Sequence, residues 1–219
     1  MQIEIENINI AFDAKTIYRN FSLNINEGEF VCVLGKSGTG KTVLLNSILG
    51  NVKPSSGTIK VGGKIVERPT KKIGVAYQDF SILPWMTLRQ NIRLGSAKEE
   101  NIERFAEVMK ITQYLDMLPK EVSIGTKQRA SIARALSSDA NLILMDEPLC
   151  SVDAITSRQI REDIKGICQG RTVVYITHDI REVFELSSRV ICLGYEGKIV
   201  LDCPTDQTSY EQILTKLNE

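Results

Sequence analysis

This 219-residue chain has a single histidine, a single tryptophan and no surplus of either charge, since 27 Lys and Arg balance 27 Asp and Glu. Proteins that grip nucleic acid cluster Lys and Arg into a basic face, so a nucleic-acid partner is not expected. No apolar run approaches the roughly 20 residues that a bilayer-spanning helix needs, and no leader with a charged start and an apolar middle opens the chain. Any link to a membrane is therefore expected to pass through another protein. The five cysteines, Cys32, Cys150, Cys168, Cys192 and Cys203, are odd in number and form no CxxC pair, which argues against a zinc site or a disulfide framework. Cys32 and Cys192 fall in apolar strand-like runs and read as small hydrophobes in a reducing compartment. Internal repeats and low-complexity segments are also missing. What remains is an ordinary globular composition, 42% apolar and 25% charged, in a chain long enough to bury a sizeable core.

Apolar and polar residues alternate from Ile3 to Ile10, as in a half-buried strand. Phe21 to Ile25 reads as a second strand, and Asn26-Glu27-Gly28 as the turn into the buried run Phe30 to Leu34. Thr58 to Val61 and Lys64 to Val66 flank Gly62-Gly63, the signature of a hairpin with a two-residue turn. Ile73 to Ala76 is a further short strand. From about Phe80 to about Leu136 the periodicity turns helical, with Ile102, Phe105, Ala106 and Met109 on one face. Strands return at Leu142 to Met145, Thr172 to Ile176, Val190 to Leu193 and Lys198 to Leu201, and a helix with Ile160, Ile164 and Ile167 on one face lies between the first two. The pattern predicts an α/β core interrupted by a helical insert.

Gly35-Lys36-Ser37-Gly38-Thr39-Gly40-Lys41-Thr42 follows a buried strand and precedes a helical stretch, Val43 to Leu49. That order predicts a phosphate-binding loop. Glycines let the backbone close around an anion and aim successive N–H groups at it. Lys41 reaches the β- and γ-phosphates, Thr42 offers a hydroxyl to Mg²⁺, and the helix dipole favours the negative charge. The ligand read from this pattern is a nucleoside triphosphate. Leu142 to Pro148 supplies the complement, a buried strand ending in Asp146-Glu147. Asp146 is the candidate for holding Mg²⁺, directly or through water, and Glu147 for polarising the attacking water. Adjacent residues at a strand end project to different sides, so the two carboxylates need not share a role.

The phosphate loop, Gln78, the stretch Val122 to Leu136, Asp146-Glu147, Ser151-Val152-Asp153 and His178 occur in an order that resembles the ABC-type ATPases, over essentially the whole chain. The resemblance implies a P-loop NTPase core of the RecA-like α/β kind, with a mainly parallel sheet, an antiparallel β subdomain and an inserted α-helical subdomain. Within one ATPase domain spanning 1–219, it assigns 1–79 and 137–219 to the nucleotide-binding core and 80–136 to the helical signature subdomain. It implies that ATP and Mg²⁺ bind, that Phe12 stacks on adenine (with Tyr18 as the other candidate), and that Gln78 senses Mg²⁺ and the attacking water. His178 would bond the γ-phosphate and align water with Glu147. Ser123 and Gly125 would meet the γ-phosphate bound to the opposite subunit.

Such a site is completed across a dimer, so a second ATP-binding subunit, of the same or a different chain, is an expected partner. Permease subunits in the membrane and a solute-binding protein are others, with the chain held at the cytoplasmic face. Leu83-Pro84-Trp85-Met86-Thr87 looks like the version found in importers of nitrate, sulfonate and taurine. One feature departs from the family: Val122-Ser123-Ile124-Gly125-Thr126 stands where Leu-Ser-Gly-Gly-Gln is the rule. Ile124 would stiffen that turn, and Thr126 is too short for a contact with ribose. Two alternatives stand beside the transport ATPase. The altered signature hints at a catalytically weak regulatory subunit in a heteromeric pair; the other is a soluble ABC ATPase acting on ribosomes or DNA, which the zero net charge and the single short helical insert disfavour.

Overall fold

Alternation over the first 25 residues builds a long antiparallel pair, β1 (Ile3–Phe12) and β2 (Lys15–Ile25), with Ile3 opposite Ile25 and Ile5 opposite Leu23. The computed structural model describes residues 1–13, 15–69, 73–96 and 98–218. β2 starts well before the apolar stretch at Phe21, because Tyr18 and Ile17 are carried into the core by pairing with β1. β3 (Phe30–Gly35) is buried almost throughout, as a central parallel strand must be. The glycine loop follows, then α1 (Lys41–Leu49), which ends on Gly50 in the left-handed conformation that favours glycine. β4 (Ser56–Val61) and β5 (Lys64–Ile65) form the hairpin over Gly62-Gly63, with Val61 opposite Lys64. β4 also pairs with β1, giving a four-stranded antiparallel sheet in the order β2-β1-β4-β5.

The chain divides into two compact units, and residues 72–169 form the second of them. It opens with β6 (Ile73–Ala76), passes through a non-helical stretch, and continues as α2 (Leu88–Arg93), α3 (Glu99–Val108) and α4 (Ile124–Ser137). The predicted face of α3 is the buried one: Ile102, Phe105, Ala106 and Met109 are all shielded. β7 (Leu142–Asp146) runs parallel to β6, with Ile73 opposite Leu142 and Ala76 opposite Met145. α4 packs on α2, α3 and β6. Gly74 permits that approach, because a Cβ there would come within 2.4 Å of the Ala135 carbonyl oxygen. α5 (Ala154–Ile167) closes the unit, capped at its start by the Asp153 carboxylate, which accepts from the Thr156 N–H at 2.9 Å.

Residues 170–219 return to the first unit. They supply β8 (Thr172–Ile176), α6 (Ile180–Leu186), β9 (Arg189–Leu193), β10 (Ile199–Pro204) and α7 (Tyr210–Asn218). β3 lies between β8 and β9, parallel to both, and β10 turns back antiparallel on β9. The glycine loop therefore leaves the carboxyl end of a strand flanked by two parallel neighbours, the place where α/β sheets hold ligands.

Candidate functional site

The glycine loop has the backbone its composition predicts. Gly38 and Gly40 sit at φ 83° and 100°, where side-chain-bearing residues are strained. Gly35 is needed for closeness, since a Cβ there would stand 2.6 Å from both the Leu193 carbonyl oxygen and Thr39 Oγ1. The Thr39 hydroxyl donates to the Lys36 carbonyl at 2.9 Å and is buried inside the turn. Lys41 Nζ donates to the carbonyls of Gly35 at 2.7 Å and Lys36 at 3.1 Å, which folds the ammonium over its own loop. Lys36 and Ser37 are exposed, and Thr42 is the second residue of α1. The loop is anchored from outside: the Tyr18 hydroxyl donates to the Gly40 carbonyl at 2.8 Å. Burial pushes that phenol's pKa far up, so it stays a donor.

This anchoring separates the two aromatic candidates. Tyr18 is wholly buried against Phe21, with ring centroids 4.6 Å apart, and has no face to offer a base. Phe12, at the end of β1, is 48% exposed and does. His178, in the same unit, follows β8 and is exposed. Its neighbours are tied down, with the Thr177 hydroxyl donating to the buried Glu182 carboxylate at 2.5 Å and the Asp179 N–H to Thr177 Oγ1 at 3.0 Å.

In the second unit Asp146 is the buried last residue of β7, and Glu147 follows it at φ 45°. Gln78, two residues past β6, is brought to Glu147: its Nε2 lies 3.5 Å from Glu147 Oε2, the outer limit of a hydrogen bond. The parallel pairing of β6 and β7 produces that proximity. Among the described residues no cluster of three or more His, Cys, Asp or Glu makes a metal cage. The residues assigned to Mg²⁺, namely Thr42, Asp146 and Gln78, are hard oxygen donors of the type Mg²⁺ takes, few in number because it keeps waters and phosphates as its other ligands.

The altered signature proves to be an orderly helix start. Ser123 is the N-cap of α4, with Oγ accepting from the Thr126 N–H at 3.1 Å. Thr126 turns inward at 3% exposure, and its hydroxyl lies 2.9 Å from that of Ser123. Ile124 is already in the helix, so the expected stiff turn is an ordinary first helical residue, and its side chain is 57% exposed. Gly125 keeps its value: a Cβ there would be 3.2 Å from the Ser151 carbonyl oxygen. Cys150, in the loop that begins at Glu147, is exposed, unlike buried Cys32, Cys168 and Cys192.

Three side chains that shape these loops receive no role from the motif reading, although two of them, Gln128 and Arg134, lie within the signature stretch. Asn91 of α2 is fully buried; its Oδ1 accepts from the Leu83 N–H at 2.8 Å, and its Nδ2 donates to the Met86 carbonyl at 3.1 Å. Gln128 and Arg134 of α4 bond the loops beyond Glu147 and Gln78. Gln128 was findable, because it shares the stripe of Ile132, Ala135 and Leu136 at i, i+4, i+7, i+8, and a polar residue on an apolar stripe needs an interior partner.

A buried parallel strand, a left-handed glycine loop and a helix behind it define a P-loop nucleotide-binding protein. Residues 18–150 match the family described as ABC transporter. A bicarbonate transport ATP-binding protein, CmpD of Synechocystis sp., is 36% identical over 87% of this chain and 73% of its own length. A nitrate import ATP-binding protein, NrtD of the same organism, is 34% identical over 94% of this chain and 85% of its own. Among solved structures, the ATP-binding cassette MJ0796, a dimer in a post-hydrolysis state bound to ADP and Pi, superposes with a TM-score of 0.84 at 27% identity, over 92% of this chain and 98% of that one. The chain belongs to the ABC transporter family, as an ATP-binding and ATP-hydrolysing member of it. No helix among the described residues is long and apolar enough to cross a membrane.

Proposed function

We propose that this chain drives the import of a small solute of the nitrate, sulfonate or taurine type, through a membrane permease that it meets at the cytoplasmic face. The observation that carries the reading is Trp85. This one tryptophan stands 71% exposed in the segment Leu83 to Thr87, whose backbone is bolted down by buried Asn91. A large exposed aromatic on a rigid support is the kind of anchor that protein interfaces use. Relatives named for bicarbonate and nitrate support a small oxyanion as the cargo.

The phosphate loop and Lys41 bind the triphosphate, and Phe12 covers the adenine. Thr42, Asp146 and Gln78 would hold Mg²⁺, which neutralises charge on the phosphates. Glu147 accepts the proton of the attacking water while Gln78 and His178 orient it. Phosphoryl transfer asks for position and charge stabilisation more than covalent help, so these polar groups suffice in kind. Ser123 and Gly125, at the start of α4, face the nucleotide of a second ATP-binding subunit. In that pairing exposed Ile124 lies on the facing surface. The helical signature segment 80–136 acts as the lever between nucleotide and permease, and 1–79 with 137–219 as the nucleotide-binding core.

Affinity purification of the chain from its native membrane, solubilised in detergent, tests the transport reading. A multispanning membrane protein should co-purify, accompanied by a solute-binding protein where one is encoded for the same system. Recovery of soluble partners alone, such as ribosomal proteins, would reject transport. Glu147→Gln tests the chemistry: turnover should drop by at least about 10²-fold, with an ATP-bound dimer accumulating. Wild-type turnover in that variant would remove Glu147 from the reaction.

A further inference from the structure

Two loops of the second unit carry proposed catalytic groups on unusual backbone. Glu147 has φ 45°, and Phe80 and Ser81, just past Gln78, have φ 65° and 44°. Non-glycine residues stay in that region only where their surroundings over-determine them. The surroundings in both cases are side chains of one helix, α4. Gln128, 1% exposed, faces the first loop. Its Nε2 donates to the Glu147 carbonyl at 3.1 Å and lies 3.5 Å from Cys150 Sγ. Its Oε1 accepts from the Ser151 N–H at 3.1 Å and faces the Cys150 thiol at 4.0 Å. A side-chain amide has two N–H donors and two acceptor lone pairs, so this one is committed entirely to the 147–151 loop. Arg134 treats the second loop alike, donating from Nη1 to the Ser81 carbonyl at 2.7 Å and from Nη2 to the Phe80 carbonyl at 3.0 Å.

We propose that Gln128 is a positioning residue for ATP hydrolysis: its amide clamps the loop behind Glu147 so that the carboxylate is held in place for water, while Arg134 braces the loop behind Gln78. The inference rests on the assignment of Glu147 as the base. A buried glutamine that only fills its own hydrogen bonds would stabilise the fold and leave the chemical step alone. A clamp acts on that step, because misplacing a catalytic group by about 1 Å costs about 10²-fold in rate. The same helix begins at Ser123, so the segment proposed to meet the opposite subunit's nucleotide is also the one that holds Glu147 and Gln78.

Single-turnover hydrolysis by the full chain in excess over labelled ATP, with ATP affinity measured in parallel, tests this. Gln128→Met keeps the volume and removes every hydrogen bond. It should hydrolyse ATP about 10²-fold more slowly with affinity within about threefold of wild type. Adding Glu147→Gln to it should cost little more, because the two changes disable one unit. Gln128→Glu keeps the acceptor for Ser151 and loses the donor to the Glu147 carbonyl, and it carries the test if Gln128→Met does not fold. A rate within about threefold of wild type, a parallel loss of rate and affinity, or losses that multiply in the double variant would each overturn the clamp. Wild-type hydrolysis by Glu147→Gln alone would instead overturn the base assignment.

Discussion

Gly40 combines two constraints that most glycines meet singly. It sits at φ 100°, and a Cβ added there would lie 2.7 Å from Ile17 Cγ2 and 3.1 Å from the Tyr18 hydroxyl that anchors the loop. Gly63, in the β4–β5 turn, has only the first, with φ 72° and nothing within 4 Å of the added atom. Gly63→Ala should therefore cost only the left-handed strain, about 1–2 kcal/mol. Gly40→Ala should cost more, up to about 3 kcal/mol, and weaken ATP binding as well, since the displaced Tyr18 releases the Gly40 carbonyl. Urea unfolding of both variants with ATP titration checks this, and equal costs would show that the packing around Gly40 yields freely. This contrast also marks a limit of motif reading. The glycine pattern names Gly40, but nothing in the pattern says that Tyr18, 22 residues earlier, holds it.

The helical stretch after the phosphate-loop half carries a network of exposed ion pairs beside its buried apolar face. Arg89 of α2 donates to Glu99 and Glu103 of α3 and, from Nε, to Asp116 at 3.0 Å, while Arg93 also bonds Glu99. Glu99 opens α3, where the helix dipole adds to the two guanidinium groups. Hydrogen bonding to Arg93 first, and to Arg89 after it, holds its carboxyl pKa below the usual carboxylate range. A folded pKa below the unfolded one contributes stability that is present above the unfolded value and lost as pH falls through the folded one. Urea midpoints between about pH 6 and about pH 3 should thus fall with acid in the wild type and fall less in Glu99→Gln. Salt should shrink the difference, because the group is exposed. Identical slopes would show that Glu99 has the same pKa folded and unfolded and adds no pH-dependent stability. The charges of this network are plain in the sequence, yet which of many Arg and Glu meet is not, since the pairing depends on how α2 and α3 cross.

For the molecule as a whole, thiol chemistry reports the packing. Burial pushes the Cys32 and Cys192 thiols up to about 12, far from the thiolate that reacts. Cys168 is buried, Cys203 half-buried and Cys150 exposed. A neutral-pH thiol reagent should label Cys150 first and Cys203 more slowly, with Cys32, Cys168 and Cys192 following only the rate of unfolding. Rapid labelling of Cys32 would mean that β3 opens without global unfolding. Cys150 is the exposed one of the five, and it lies in the loop that follows the Asp146-Glu147 strand end.

The ATP-binding loop, the Asp146-Glu147 strand end and the buried face of α3 are written in contiguous residues, because a strand, a turn and a helix each follow from local spacing and backbone preference. Length, balanced charge and the lack of a long apolar run likewise come straight from the chain. Burying Tyr18 under the glycine loop, turning Thr126 inward and making Ile124 an ordinary helical residue required the fold, since each depends on which distant atoms fill the space beside a side chain. Gln128 shows the division most clearly. Its polarity on an apolar stripe announces a buried partner, but the partner is a loop 19 residues away, brought there by the packing of helix on strands and by no local rule.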